Sequence, residues 1–165
     1  MRAAIAAAAA PVRRFLFGMC GDWDEAEDLA QGALLKAWEK RDRFDGRCAV
    51  RTWVFTIARN HWRDRLRRRR SAPKSETMDE GKFVRDRSAR DPVAHRELTE
   101  AVQKALGTLP EPQREVLALR ESEGLTFVQV AELLAIPVST AKSRTRYALL
   151  KLAEQLKDFR SELES

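Results

Sequence analysis

The sequence predicts an all-α fold: two small helical domains joined by a flexible linker, the C-terminal one containing a helix-turn-helix. Apolar residues recur at helical spacing along most of the 165-residue chain. Residues 71–91 lack that periodicity and mix Ser, Pro, Gly and both charges, as flexible linkers do. Further on, a short apolar segment, a Pro-containing break and a cation-rich segment follow one another, which is typical of a helix-turn-helix. The predicted domains are residues 1–70 and 92–165.

The charge of the chain is unevenly distributed. Lys and Arg number 31 against 25 acids, a formal net charge of +6. Residues 1–70 hold 16 basic and 9 acidic residues, a net of +7, whereas the remainder holds 15 and 16, a net of −1. Basic clustering of this kind favours a polyanionic partner, nucleic acid first and an anionic membrane surface second.

Several classes of protein are disfavoured by composition. Cys20 and Cys48 are too few and too scattered for a disulfide framework and indicate a reducing, cytoplasmic compartment. Spacing typical of zinc ligands is absent, and the dispersed acids lack a base, nucleophile or metal ligand, so we expect no metal site, no cofactor and no enzyme active site. No apolar run approaches the ~20 residues that span a bilayer, so we expect no membrane insertion. The Ala-rich start, followed at once by Arg13 and Arg14, favours a helix over a signal peptide.

Two helices are predicted before residue 41. The first spans Arg2 to Met19, and the second follows an Asp22 cap, with Glu25 three residues on, and runs to about Lys40. The buried face of the first helix is predicted to be Ile5, Ala8, Val12, Phe15, Leu16 and Met19. The second begins with five acids in seven residues. They either complement the helix dipole or dock a basic partner surface, and the sequence leaves both explanations open.

A third helix is predicted from Val50 to about Arg70, after a loop at 41–49. One face is apolar and includes Trp53. The other interleaves Trp62 with many Arg residues near Asn60, which supplies the stacking surface, phosphate contacts and amide that single-stranded nucleic acid needs. The alternative is a solvated basic helix with its aromatics in the core. Trp53 is assigned to the core, while both alternatives stay open for His61 and Trp62.

The C-terminal half is predicted to hold four helices. The first starts after the Asp91 cap with Pro92 at its first position and runs to Gly107. A capping box of Thr108 and Glu111 is predicted to begin the next, which runs to about Glu121.

A second capping box, Thr126 with Gln129, begins the helix-turn-helix. Val128, Val130, Ala131, Leu133 and Leu134 are predicted to fill its apolar side, and Pro137 breaks the helix. The last helix restarts at about Val138, with Ala141, Ala148, Leu149 and Leu152 as its apolar positions. Its cations suit a DNA major groove, the alternative being a core hairpin with solvated cations.

At these motifs the chain resembles bacterial sigma factors of the extracytoplasmic-function group, in the sigma-70 family. Residues 24–31 (DEAEDLAQ), 36–38 (KAW), 44–47 (FDGR), 51–60 (RTWVFTIARN) and 64–69 (DRLRRR) resemble region 2 of these factors. Residues 109–110 (LP), 114–117 (REVL), 119–120 (LR), 123–126 (EGLT) and 136–144 (IPVSTAKSR) resemble their region 4. The two blocks stand in the family's order across the predicted linker.

The resemblance implies a sigma factor that binds core RNA polymerase and directs promoter recognition, promoter melting and transcription initiation. Its partners would be core polymerase, promoter DNA as duplex and melted strand, and an anti-sigma factor. The resemblance assigns core polymerase binding to Asp24, Glu27, Asp28, Gln31 and Leu35. It assigns binding of the minus-ten element, with a flipped base held in the loop, to Phe44, Asp45, Gly46, Arg47, Asn60, His61 and Arg63. It assigns binding of the minus-thirty-five element to Arg120, Ser139, Thr140, Lys142, Ser143, Arg144 and Arg146.

Three other functions are compatible with part of these features. A sigma mimic that binds a regulator without initiating transcription would be expected to lose base-contacting residues, yet Asn60 and the Arg run at 67–70 are present. A dimeric helix-turn-helix regulator would leave Trp38, Trp53 and Asn60 unexplained. A nuclease would use a metal-binding carboxylate cluster that the sequence does not display.

Overall fold

The computed structural model describes residues 1–71 and 93–164, and all their side chains except those of 93–98, 122–123 and 158–164. Within these ranges there is no strand. The α-helices are α1 Arg2–Ala7, α2 Ala9–Cys20, α3 Trp23–Glu39, α4 Val50–Ser71, α5 Val93–Gly107, α6 Glu111–Glu123, α7 Phe127–Leu134 and α8 Val138–Glu164, with one 3₁₀ turn at Arg41–Arg43. The predicted all-α fold and its C-terminal helix-turn-helix are confirmed. The Asp91 cap, Pro92 and nearly all of the predicted linker lie outside the described residues.

The N-terminal segment forms two helices rather than the single one predicted. α1 ends at Ala7, and α2 begins at Ala9. Pro11 explains the break, because it has no N–H to donate to the carbonyl of Ala7 and its ring crowds that carbonyl. The predicted buried face nevertheless holds across the break, since each of its six residues is buried.

Local caps begin two of the helices as predicted. Asp22 accepts a hydrogen bond from the Glu25 N–H at 2.8 Å at the start of α3. Before α7, Thr126 and Gln129 form both hydrogen bonds of a capping box. These contacts join residues three positions apart, so the sequence alone reveals them.

The predicted Thr108–Glu111 capping box is wrong. α6 starts at Glu111, and the residue before it is Pro110, which provides no side-chain cap. Thr108 lies too early in the chain for that role. Its hydroxyl donates to the Ala105 carbonyl at the end of α5 and accepts from Gln155 Nε2 at 2.7 Å.

One apolar core runs through both the N-terminal and the C-terminal helices. α2 contributes Phe15, which meets Phe55 of α4 edge-on at 5.7 Å between ring centroids. α6 contributes Val116 and Leu119 to the same core. A Cβ on Gly18 would lie only 3.1 Å from the Ala118 Cβ, so a glycine allows α2 and α6 to approach closely.

Two residues predicted for the apolar side of the helix-turn-helix point outward. Val128 is 54% exposed and Leu149 is 50% exposed. Ala148 is fully buried, and its neighbour Leu149 lies about 100° further around α8, since a helix has 3.6 residues per turn. On α7 the inward positions are taken by Val130, Leu133 and Leu134.

The stretch Arg2–Cys20 has the length and apolar composition of a membrane-spanning helix. Its apolar face is occupied within the protein, because Val12, Phe15 and Leu16 are fully buried in the shared core. The core helix of a globular domain accounts for that composition.

Candidate nucleic-acid and protein interfaces

A mixed acidic and apolar stripe runs along the exposed side of α3. Asp24, Asp28, Gln31 and Leu35 are all exposed, and steps of four, three and four residues put them on one helix face. Leu35 is 59% exposed, and Trp38, one turn further, is 39% exposed. Large apolar side chains beside acids on an exposed helix face suit a protein partner with basic and apolar groups.

The remaining acids at the start of α3 are engaged within the protein. Glu25 accepts a hydrogen bond from Arg69 and has Arg65 Nε at 3.7 Å, which ties the start of α3 to the end of α4. Glu27 pairs with Arg13 at 3.0 Å and accepts from Gln31 at 3.1 Å. These two hydrogen bonds, the Arg13 one foremost, lower the pKa of the Glu27 carboxyl. Glu25 and Glu27 therefore connect the start of α3 to α4 and α2, while Asp24 and Asp28 lie on the exposed stripe.

The loop predicted to hold a flipped base is anchored to α4 at one end. The Phe44 ring packs against Trp53 at 5.3 Å between centroids, so it is half-buried. Asp45 accepts from the backbone N–H of Arg47 at 3.1 Å and faces its guanidinium at 3.2 Å. Gly46 has φ +74°, a left-handed conformation that favours glycine. A Cβ at Gly46 would meet no atom within 4 Å, and Arg47 is 88% exposed, so the loop tip is open.

The predicted strand-binding residues of α4 divide between the surface and the interior. Asn60 and Arg63 are exposed, and Asn60 is seven residues, or about 10 Å along the helix, from Trp53 on the same side. Trp62 is 4% exposed and belongs to the core, which decides between the two alternatives for this residue. His61 is half-buried and faces α3, where its Nδ1 lies 2.7 Å from Lys36 Nζ.

The predicted duplex-binding residues of α8 lie in its first three turns. Ser139, Lys142, Ser143 and Arg146 are exposed, whereas Thr140 and Arg144 are half-buried. Ser143 donates to the Thr140 carbonyl at 3.0 Å. Exposed cations and hydroxyls at the start of the second helix suit phosphate and base-edge contacts in a major groove.

Arg120 has a structural position at the end of α6. Its Nη1 donates to the Leu125 carbonyl at 2.6 Å, and its guanidinium lies over the Phe127 ring at 4.2 Å. These contacts brace the turn between α6 and α7 next to Gly124, whose φ is +59°. Contact of Arg120 with the minus-thirty-five element stays a prediction.

An apolar groove between α7 and α8 was not anticipated from the sequence. It has a volume of about 500 Å³ and is open to solvent, and its lining includes Phe127, Leu149, Leu150 and Ala153. Leu149 and Leu150 are both at least half exposed. The adjacent Leu pair was the available signal, because two neighbouring residues on a helix point about 100° apart and rarely fit one buried stripe.

The described side chains include no group of three or more His, Cys, Asp and Glu arranged to hold a metal ion. Burial raises the pKa of the Cys20 thiol to about 12, so this thiol stays protonated. Cys48 is exposed beside Arg47.

Comparison with known proteins finds sigma-70 region 2 across residues 5–72 and sigma-70 region 4 across residues 105–154. The ECF RNA polymerase sigma factor EcfG of Rhodopseudomonas palustris is 33% identical over 94% of this chain and 84% of its own length. SigW of Bacillus subtilis, also an ECF sigma factor, is 30% identical over 89% of this chain and 83% of its own. The solved sigma factor RpoE of Bartonella quintana, in complex with the anti-sigma factor NepR, matches with a TM-score of 0.71. That match has 26% identity and covers 94% of this chain and 96% of RpoE.

Proposed function

The chain belongs to the extracytoplasmic-function sigma factors of the sigma-70 family, which direct promoter recognition and transcription initiation, and from this premise we propose a role for each exposed surface. The stripe on α3 binds core RNA polymerase. The loop at 44–47 and the exposed side of α4 bind the minus-ten element, and the start of α8 binds the minus-thirty-five element. The protein works by binding, in the cytoplasm, and is not an enzyme.

The α3 stripe supports the polymerase role. Exposed carboxylates at Asp24 and Asp28 give a long-range attraction to a basic partner, and Leu35 adds apolar area that a partner would bury. Gln31 lies between them and offers an amide for hydrogen bonds. Since Glu27 is already paired with Arg13 and Gln31, we assign it to orienting the stripe as well as to docking.

The observation that carries the promoter role is the exposure of Asn60 on α4, on the side where the anchored 44–47 loop also lies. An amide can read the edge of an unpaired base, and the open loop tip leaves room for a base taken out of the stack. Unstacking costs about a few kcal/mol per base, and captured bases offset it. Arg63 and Arg47 supply positive charge for the strand's phosphates.

The proposed engagement requires the compact chain to open. The two promoter elements, named for their positions, are about 25 bp apart, or about 85 Å of duplex at ~34 Å per turn. A compact chain of this length has a radius of gyration of about 15 Å and a diameter of about 40 Å. It cannot reach both elements while α2, α4 and α6 share one core. We propose that an anti-sigma factor holds this chain in the compact arrangement, in which the N-terminal and C-terminal helices share one core. The solved RpoE of Bartonella quintana is bound to such a factor, NepR.

Run-off transcription tests the proposal. The purified chain is added to bacterial core polymerase on genomic fragments, and transcript starts are mapped. We expect discrete starts that need the chain, and failure to associate with core polymerase at low ionic strength would overturn the proposal.

A matched variant then tests the melting role. Asn60→Ala should bind polymerase normally and open duplex promoters poorly, yet transcribe from a template with a preformed bubble at the minus-ten element. If the bubble template does not restore transcription, Asn60 acts elsewhere. Loss of polymerase binding would likewise contradict the assignment.

A further inference from the structure

Gly32 forms a notch in the middle of α3 that the His61 ring occupies. A Cβ on Gly32 would lie 2.7 Å from His61 Nε2 and 3.3 Å from its Cε1, closer than such atoms approach. The imidazole therefore lies where any other residue at position 32 would have its side chain. Glycine is a poor helix former, so its presence in mid-helix has a packing explanation here.

The second ring nitrogen of His61 is held by the same helix. Its Nδ1 lies 2.7 Å from the Nζ of Lys36, which is one turn after Gly32 on α3. An ammonium group can only donate hydrogen bonds, so Nδ1 accepts and the ring is neutral with its proton on Nε2. The ring is thus fixed at two points of α3, by contact at Gly32 and by hydrogen bonding at Lys36.

We propose that His61 is a positioning residue that aligns α4, and with it Asn60, on the polymerase-binding helix α3. The inference rests on the proposed function, because it takes α3 as the docking helix and α4 as the strand-binding helix. Gln31 and Leu35, on the docking stripe, directly precede Gly32 and Lys36. The contacts of His61 with Gly32 and Lys36, called the joint below, therefore connect the helix that binds the polymerase to the helix that captures a base.

The charges around His61 keep this joint intact near neutral pH. Burial lowers the pKa of the imidazole, and so does the Lys36 ammonium, with smaller effects in the same direction from Arg68 and Arg65 on α4. Asp64 on α4 opposes them. Because the folded pKa lies below the ordinary 6.5, the joint is fully present above about pH 6.5 and is lost as the pH falls further. A protonated ring would set two cations in contact.

Gly32→Ala tests the joint in the full chain with core polymerase. The added Cβ displaces His61 from the notch and breaks its hydrogen bond with Lys36. We expect unchanged polymerase affinity and an open-complex formation rate about tenfold lower, the effect of losing one charge-assisted hydrogen bond. The readout is permanganate reactivity of unpaired thymines. A purely structural role would instead lower the unfolding midpoint and the polymerase affinity together with the opening rate.

A second substitution supplies the rescue. In the Gly32→Ala background, His61→Asn removes the ring that clashes with the added methyl group and keeps an acceptor for Lys36. We expect this double variant to recover the wild-type rate within about threefold. It should also lack the fall in opening that we expect of wild type as the pH drops below about 6.5. As a contrast, Leu35→Ala should reduce polymerase affinity and open promoters normally once polymerase is saturated.

The outcomes separate the two proposals. If Gly32→Ala opens promoters as fast as wild type, or if His61→Asn does not rescue it, the positioning role is overturned. If wild type itself fails to bind polymerase or to open promoters, the proposed function fails first. A Gly32→Ala variant with reduced polymerase affinity would also overturn the inference, because it would mean that the notch serves docking.

Discussion

Arg59 and Glu115, 56 positions apart in the chain, form a buried ion pair between α4 and α6. Arg59 Nε lies 2.5 Å from Glu115 Oε1, and the two side chains are 14% and 4% exposed. One helical turn along, Arg63 Nε lies 3.9 Å from Glu111 Oε1. Since Arg59 directly precedes Asn60, the contact that closes the chain is made by the helix proposed to hold the melted strand.

Glu115→Gln should open the chain. The substitution keeps the shape of the side chain but leaves the Arg59 charge uncompensated, and breaking a buried pair costs about 3–5 kcal/mol. Opening hydrates Arg59, so we expect small-angle X-ray scattering to give a radius of gyration above the ~15 Å of the compact chain. Glu27→Gln is the control, because the exposed Arg13–Glu27 pair contributes only about 0–1 kcal/mol. An unchanged radius for Glu115→Gln would refute the role of the pair in closure.

Leu35→Ala should weaken binding to core polymerase about tenfold, because it removes apolar area that the partner would bury. Leu35 is 59% exposed, so the unfolding midpoint should stay unchanged. Fluorescence anisotropy with labelled chain measures the affinity. Val128→Ala on α7, 54% exposed and off the stripe, is the matched control. Equal affinities for the two variants would remove Leu35 from the docking surface.

Lys142→Ala should weaken binding to duplex promoter DNA and reduce the slope of log affinity against log salt by about 1, the effect of one lost phosphate contact. Lys142 is exposed near the start of α8. Lys104→Ala removes another exposed cation, on α5, and should leave the slope unchanged. The measurement is a titration of duplex promoter DNA with each variant at several salt concentrations. An unchanged slope for Lys142→Ala would argue against groove contact at this position.

Ala135→Gly should stabilise the protein by about 0.5–1 kcal/mol. Ala135 closes α7 with φ +52°, the left-handed region in which a Cβ is strained and glycine is not. Part of the gain is offset by the greater freedom of glycine in the unfolded chain. Ala153→Gly, at an exposed position within α8, is the control and should destabilise by about 1 kcal/mol. The thermal unfolding midpoints of both variants are compared with that of the wild type. A lower midpoint for Ala135→Gly would contradict the strain argument.

Much of the helical organisation could be predicted from the residue pattern. Caps such as Asp22 and Thr126 join residues three positions apart, and apolar periodicity placed Phe15 and Val130 in the core. Two incorrect predictions, of a single N-terminal helix and of a capping box at Thr108, have local causes as well. Pro11 split the first helix, and Pro110 took the position before α6 that the pattern assigned to a polar cap.

The residue pattern thus specified most of the helices and two of their caps, because these depend on neighbours within about one helical turn. The order of the two motif blocks along the chain indicated the family. Tertiary packing assigned partners to the charges. It pairs Arg59 with Glu115, Arg69 with Glu25, and His61 with Lys36, over 56, 44 and 25 positions respectively. Charges at such separations meet only after the helices pack, and any acid in the chain could equally have been the partner beforehand. Packing alone therefore turned Arg59 and His61 inward and left Asn60, between them, exposed to the solvent.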